Sequence, residues 1–413
     1  MYKEVKNCRV CGNSNLALVM DVGKQAMTGI FPEKRSETVP SGPVELVRCV
    51  GDDFCGLVQL RQSYDVGLMY GDNYGYRSGL NQSMVDHLTE KVIAILDKNI
   101  LEDGDLVVDI GSNDGTSLTV YPLGKYELLG IDPSGDKFLD YYPVGAKLVA
   151  DFFSEKIVVE ASQGKKAKVI TSFSMFYDLE EPISFAKEIE ACLHDEGIWV
   201  CEQSYLPAML RTNSFDTICH EHLEFYSLKQ IMWIAKKAGL KVVDVEFNDT
   251  NGGSFSITAA KVSSSIQPDF NKLEKIQNDE IEMGLNDAAI YEEFKTRVET
   301  ARSSLINFLN DVRTRNKTVF GLGASTKGNV LLQYCKIDEN LVKKIGEVNE
   351  DKFGKRTPGS SIPIISEEEA LGLNPDYLLV LPWHFKPFFE KLPSLKGRTL
   401  VFPLPEFEIV TIE

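Results

Sequence analysis

Apolar residues recur at helical spacing over residues 82–99, where Met84, Val85, Leu88, Val92, Ile93 and Leu96 fall on one broad face. Residues 1–70 hold no comparably long helical pattern and are rich in turn formers, and an aromatic, glycine-rich loop follows at 70–80. After the helix the period shortens. Leu-Val-Val-Asp-Ile at 106–110 reads as a strand, and Gly111-Ser112-Asn113-Asp114-Gly115 as the turn leading from it into a helix. Further apolar runs at 127–131, 168–173, 197–201 and 241–247 are separated mostly by helix-like stretches. Strand alternating with helix predicts an α/β fold with a mostly parallel, doubly wound sheet. Residues 266–316 are charged and helical in pattern, as a connector between two units would be. A second α/β pattern then opens with a strand at 318–320, a tight turn at 321–328 and a helix starting over 329–335, with later strands expected at 342–348, 376–381 and 398–402. The two glycine-rich turns share no wider self-similarity, so no internal repeat is present. The pattern divides the chain at 1–72, 73–264 and 265–413.

Composition narrows the class. With 413 residues, 43% hydrophobic and 25% charged, the chain can fill several cores. No uncharged apolar run of about 18 residues exists, so no membrane span is expected. The first residues, Met-Tyr-Lys-Glu-Val-Lys-Asn-Cys, have no apolar secretory stretch, and a cytoplasmic location is expected. A net charge of −17 argues against nucleic acid, because phosphate contacts need a basic face. A monomer with a small-molecule substrate is the expectation.

Four of the eight cysteines, Cys8, Cys11, Cys49 and Cys55, fall in the first 55 residues. Without an export signal they point to metal rather than to disulfides. Cys8-Arg9-Val10-Cys11-Gly12 is a knuckle in which two thiolates can face one ion while the glycine turns the backbone beneath them. Four thiolates close a tetrahedral Zn²⁺ site and leave no position for a substrate, so the zinc would be structural. The Cys49–Cys55 gap is longer than in a standard knuckle, and the alternative is four buried free thiols.

The turn at 111–115 stands at the carboxyl end of the first strand, where open α/β sheets bind ligands. Gly111 and Gly115 permit close backbone approach, and Asn113 and Asp114 lie between them. The full spacing of a dinucleotide loop is missing, and Asp114 would repel a pyrophosphate. An acidic loop suits S-adenosylmethionine (SAM), which carries a sulfonium and an ammonium and no phosphate. Asp132, about twenty residues on, is placed for ribose hydroxyls. Asp151 and Phe152 offer a carboxylate and a ring to the adenine. Ser172, at the end of the 168–173 run, and Tyr76 complete the expected cofactor set.

Two of five histidines fall in Phe215-Asp216-Thr217-Ile218-Cys219-His220-Glu221-His222-Leu223-Glu224. A buried imidazole beside a carboxylate can be oriented and tuned as a base. The histidines are two apart, which is not the zinc-binding spacing of metalloprotease helices. A helix start with a satisfied core histidine is the plainer alternative.

With these residues in place, the chain resembles the three-domain SAM-dependent sugar C-methyltransferases of deoxysugar and surface-polysaccharide biosynthesis. The likeness spans nearly the whole chain. It rests on the cysteine cluster with Cys-Gly-Leu-Val-Gln-Leu (55–60), on Tyr-Gly-Tyr-Arg-Ser-Gly-Leu-Asn (74–81) and on Asp-Ile-Gly-Ser-Asn-Asp-Gly (109–115). It continues with Phe-Asp-Thr-Ile-Cys-His-Glu-His-Leu (215–223), Asn-Gly-Gly-Ser (251–254) and Gly-Ala-Ser-Thr-Lys-Gly-Asn (323–329). The resemblance implies a small zinc-binding module, a central SAM-methyltransferase domain and a C-terminal Rossmann-like domain. It also implies His222 as general base, assisted by Glu221, at a cleft between the last two domains. The expected reaction is methylation, at carbon 3, of a nucleotide-linked 4-keto-6-deoxy sugar. Where members carry Tyr before His-Glu-His, this chain has Cys219, so the phenol that would meet the substrate carbonyl is missing. Tyr74, Tyr76 and His220 are the candidate donors to the enolate oxygen, and Cys219 is expected at the substrate.

The second glycine turn, 321–328, follows a strand and opens a helix. Backbone N–H groups there, with Lys327, make an anion site. It lacks the Walker A spacing. Ser325, Lys327 and Asn329 are expected to grip the nucleotide of the substrate, and Trp383 and His384 to reach the same cleft. A Rossmann turn kept only for packing is the alternative. The competing functions are an O- or N-methyltransferase on a related nucleotide sugar, an inactive zinc-bearing scaffold, and an oxidoreductase using NAD at the second turn.

Overall fold

The computed structural model describes residues 2–69 and 77–413. The N-terminal strands are β1 (Tyr2–Glu4), β2 (Leu16–Ala26), β3 (Ser41–Cys49), β4 (Val58–Leu60) and β5 (Gln62–Tyr64). The central sheet takes β6 (Leu106–Ile110), β7 (Glu127–Ile131), β8 (Lys147–Val149), β9 (Ala167–Phe173) and β10 (Leu193–Ser204). β11 (Glu224–Phe225) leaves it, and β12 (Leu240–Asn248) and β13 (Ser254–Lys261) complete it. The C-terminal sheet holds β14 (Val319–Leu322), β15 (Ile345–Glu347), β16 (Ile364–Ser366), β17 (Tyr377–Val380), β18 (Thr399–Phe402) and β19 (Glu408–Thr411).

The central sheet runs β12-β13-β10-β9-β6-β7-β8, with only β13 antiparallel to its neighbours. The chain winds outward from β6 to β8 and then crosses back to β9, so the switch point lies between β6 and β9. The C-terminal sheet runs β16-β15-β14-β17-β18-β19 and switches between β14 and β17. Strand order reverses at both places, and ligands bind outside the carboxyl ends of strands there. No described helix is long and apolar enough to cross a membrane.

Several expectations shift. The 82–99 face belongs to helix Gln82–Asp97, which buries Leu88, Val92 and Ile95, while Ile93 is exposed. The stretch 266–316 is not a mere connector. It forms helices Phe270–Glu282 and Ala289–Thr314, and the second buries Tyr291, Phe294, Val298, Ala301, Leu305, Leu309 and Val312 as one seam. β16 and β19 were not marked by the pattern, and the helix after the second turn starts at Thr326.

One feature of the topology positions the candidate site. β11 pairs antiparallel with β4, so the chain just after His-Glu-His adds a strand to the N-terminal sheet β11-β4-β3-β2. A single apolar core then runs from Val44, Leu46 and Leu60 through Phe215, Ile218, Cys219 and Leu223 to Leu305, Leu322 and Leu379. The histidine segment is thus clamped between the N-terminal module and the C-terminal sheet.

Candidate active site

The four N-terminal cysteines converge. The Cys8 and Cys55 sulfurs lie 3.4 Å apart, those of Cys11 and Cys49 3.5 Å, and all four within 4.8 Å of one another. Tetrahedral Zn–S bonds of about 2.3 Å give sulfur edges of about 3.8 Å, so the cluster fits zinc, and all four cysteines are free. The long Cys49–Cys55 gap is the bend between β3 and β4, closed by the Cys49 amide donating to the Leu57 carbonyl at 2.8 Å. The Asn13 amide donates to the Cys49 sulfur at 3.3 Å. Arg9, inside the knuckle, donates to the Leu60 carbonyl and the Ser63 hydroxyl, and its Nε lies 3.6 Å from the fully buried Glu224 carboxylate.

At the central switch point Gly111 and Asn113 both adopt positive φ, 69° and 49°. A Cβ on Gly111 would lie 3.2 Å from Met175, so the turn and the exit of β9 touch. Asp132 accepts from the Asn113 amide at 2.9 Å through one oxygen, and from the Ser134 amide and hydroxyl through the other. Its carboxylate therefore shapes the turn. Asp114 is buried. It accepts from the Gly79 amide at 2.9 Å and from Thr116, with the Arg77 guanidinium 3.4 Å away, and so fastens the 77–79 segment over the turn. Asn113 accepts from the Ser78 amide. Asp151 and Phe152 are exposed just past β8. Ser172 is fully buried and accepts from the Trp199 indole at 2.9 Å, which places it under the cleft rather than in it. Tyr74 and Tyr76 lie outside the described residues.

Successive side chains of the histidine segment diverge. His220 is fully buried edge-on to Tyr64, ring centroids 4.6 Å apart. Neither ring nitrogen has solvent access, and the ring packs on the N-terminal module. Cys219 is buried in the core, where burial and Glu221 raise its thiol pKa well above the usual value; it does not line the cleft as a substrate contact would. Glu221 accepts from the Thr28 hydroxyl at 3.3 Å. Glu221 and His222 are both partly exposed. The Nδ1 of His222 lies 2.8 Å from the Thr217 carbonyl, which accepts the ring N–H and fixes the tautomer with a bare Nε2. Nε2 has no hydrogen-bond partner among the described residues. Burial, opposed by Glu221 and reinforced by Lys327, lowers the His222 pKa to about 4. The Tyr177 ring stands 4.5 Å from the imidazole, and the Leu223 amide donates to the Tyr177 carbonyl. Met175 touches Gly111 and Tyr177 touches His222, so three residues join the turn to the base.

The second glycine turn meets the same segment. Gly323 has a φ of 78°, and a Cβ there would lie 2.8 Å from Pro382 at the exit of β17. That exit carries Trp383, whose indole donates to Asp216 at 2.8 Å, and His384. Ser325 caps its helix by accepting from the Gly328 amide, and Asn329, fully buried, donates to the Thr28 carbonyl at 2.8 Å. Lys327 reaches across and donates to the Asn251 carbonyl at 2.9 Å. Arg9, Thr28, Asp216 and Asn251 were not singled out from sequence. Asp216 and Asn251 sit inside quoted motifs, whereas Thr28 gives no local signal.

Three family profiles match along the chain: a zinc binding domain at 8–70, a methyltransferase domain at 84–245 and a C-methyltransferase C-terminal domain at 249–405. C-methyltransferase NovU of Streptomyces niveus is 29% identical over 421 aligned positions, covering 100% of this chain and 99% of its own. Among solved structures, one chain of the Haloferax volcanii complex between the Trm112 methyltransferase activator and a methyltransferase shares 16% identity, over 44% of this chain and 94% of its own, with a TM-score of 0.36. Magnesium protoporphyrin IX methyltransferase from Synechocystis PCC 6803, with bound SAM, shares 14% over 44% of this chain and 79% of its own, with a TM-score of 0.31.

Proposed function

We propose that this chain, which matches a zinc binding module, a methyltransferase domain and a C-methyltransferase C-terminal domain in order, is a SAM-dependent C-methyltransferase that methylates carbon 3 of a nucleotide-linked 4-keto-6-deoxy sugar. The observation that carries the reading is the state of His222. Its proton is committed to Thr217, its other nitrogen is bare, and it stands one short loop from the turn at 111–115. A bare, oriented imidazole is what removal of a weakly acidic C–H proton beside a ketone requires. Glu221 stabilises the imidazolium that forms, since its charge raises the proton affinity of His222. SAM, when bound, supplies an electrophilic methyl group. The cofactor's place is the turn at 111–115, with Asp132 toward the ribose and Asp151 and Phe152 at the adenine. Asp114 acts there as the clasp on residues 77–79.

Proton removal at His222 precedes methyl transfer, so it can be watched alone. In heavy water without SAM, a dTDP-linked 4-keto-6-deoxyglucose probe should exchange the hydrogen beside its ketone, followed by NMR. The pH dependence carries a sign. A histidine lowered to about 4 stays unprotonated below its ordinary value of 6.5. The second-order rate constant for exchange should therefore be flat from about pH 8 to about pH 6, and fall only as pH drops toward 4. The neutral imidazole's contribution to stability follows the same direction, present above 6.5 and lost as pH falls through the lowered value. No exchange on any keto-sugar would remove enolisation from the account.

A further inference from the structure

We propose that Lys327 is a catalytic residue of this chain, and that its ammonium receives the substrate's keto oxygen as that oxygen becomes an enolate. The inference deepens the enolisation reading and rests on it.

The oxygen needs a donor; of the groups expected at it, Tyr74 and Tyr76 lie outside the described residues, and the described ones are enclosed. Cys219 stands in place of a phenol and is buried, and His220 faces Tyr64 with both nitrogens enclosed. Lys327 reaches the loop that packs on the turn holding His222: a Cβ on Gly252 of that loop would lie 3.3 Å from the Ser214 hydroxyl, three residues before the Thr217 carbonyl that fixes the imidazole. The lysine sits in the first turn of helix Thr326–Tyr334, but its side chain does not wait at that helix end for a phosphate. It crosses to the loop after β12 and donates to the Asn251 carbonyl at 2.9 Å. That loop is built for the purpose. Asn251, Gly252 and Gly253 all have positive φ, of 58°, 91° and 118°, and a Cβ on Gly253 would strike Ala208 at 2.4 Å.

The ammonium is otherwise uncommitted. An ammonium has three N–H donors, and one is used here. No carboxylate among the described residues comes within 4.0 Å of it. Asp216 acts on it from farther off, is fully buried, and is itself bonded to Trp383. The charges and titratable groups around the ammonium are His222, His384, Asp216 and Cys219. Burial first, and then the charge of Lys327, lowers both imidazoles. A half-buried cation with spare donors beside a bare base is a site for a developing anion.

The step balances. Nε2 of His222 takes the proton from the carbon beside the ketone. The C–H pair becomes the C=C bond, and the carbonyl π pair moves to oxygen, whose new charge is met by N–H donation from Lys327 without proton transfer. When the carbon then bonds the methyl, the carbonyl re-forms, the S–CH₃ pair stays on sulfur, and the imidazolium proton goes to solvent.

The test uses the full chain, the dTDP-4-keto-6-deoxyglucose probe, and the variants Lys327→Met, Lys327→Arg and Tyr177→Phe. SAM affinity by calorimetry and melting temperature identify any variant that has lost its fold. Lys327→Met should lose kcat and SAM-independent exchange together, by about 10²–10³-fold, with SAM affinity unchanged. Lys327→Arg, which keeps the charge, should recover part of both. A Lys327→Met variant with kcat preserved and KM raised would make the lysine a phosphate grip and overturn the proposal. So would loss confined to Tyr177→Phe, which would assign the oxygen to that phenol. In either case wild-type exchange leaves enolisation standing. A wild type that exchanges no keto-sugar fails at enolisation itself and takes this inference with it.

Discussion

His222→Asn should abolish solvent exchange and methylation together while SAM affinity stays near that of the wild type. An amide cannot accept the proton, and a positioned base contributes about 10²–10⁴-fold. The substitution is chosen for the site. An asparagine side-chain N–H can still donate to the Thr217 carbonyl, now 2.8 Å from Nδ1, so the segment keeps an anchor. The cofactor turn is fastened by other groups, Asp132 on Asn113 and Asp114 on Gly79, neither of which touches His222. Exchange measured by NMR and affinity by calorimetry separate the two. Methylation that persists in the variant would place the base elsewhere.

Zinc removal should produce the other large effect, and it should reach the base. Structural zinc sites bind with apparent free energies of about 10–16 kcal/mol at neutral pH, so stripping the ion removes a main support of the N-terminal module. That module holds the segment beyond His222 in three ways. β4 pairs with β11, the Leu60 amide donates to the Leu223 carbonyl at 2.8 Å, and Arg9 of the knuckle lies against the buried Glu224. Cys8→Ser, or chelation of the full chain, should therefore lower the melting temperature and cut the exchange rate together. SAM binding on the central sheet should survive better than either. Unchanged stability and exchange after metal analysis shows the zinc gone would contradict this coupling.

The division of the molecule was legible because its signals are local. A Cys-x2-Cys knuckle, a glycine turn after an apolar strand and a switch from period 2 to period 3.6 each fit within about a dozen residues. β6, buried throughout, and β9, buried over Val169–Ser172, stood out as apolar runs. The start of β10, His194-Asp195-Glu196, is polar and was hidden for that reason, and the three-residue β16 is too short to show a period. Placing Ile93 rather than Ile95 on the buried face is an error of two residues, about 200° around the helix, which only the packing partner decides. The candidate site divides the same way. The motif containing His222 was visible, but not which of its neighbours would face the cleft. His220 and His222 part company because Tyr64 of the N-terminal module receives one ring and Tyr177, just past β9, the other. The pairs Arg9–Glu224, Thr28–Glu221 and Lys327–Asn251 join residues 76 to 215 positions apart and leave no trace in local pattern.

The central claim is carbon methylation of a keto-sugar, and the position of the new methyl group tests it most directly. The full-length, zinc-loaded protein is incubated with SAM labelled with carbon-13 on its methyl, and with a panel of nucleotide-linked 4-keto-6-deoxy sugars. The product is read by mass spectrometry and by carbon–carbon coupling in NMR. The account predicts a methyl carbon coupled directly to ring carbon 3. A labelled methyl on oxygen or nitrogen, with no coupling to a ring carbon, would contradict it.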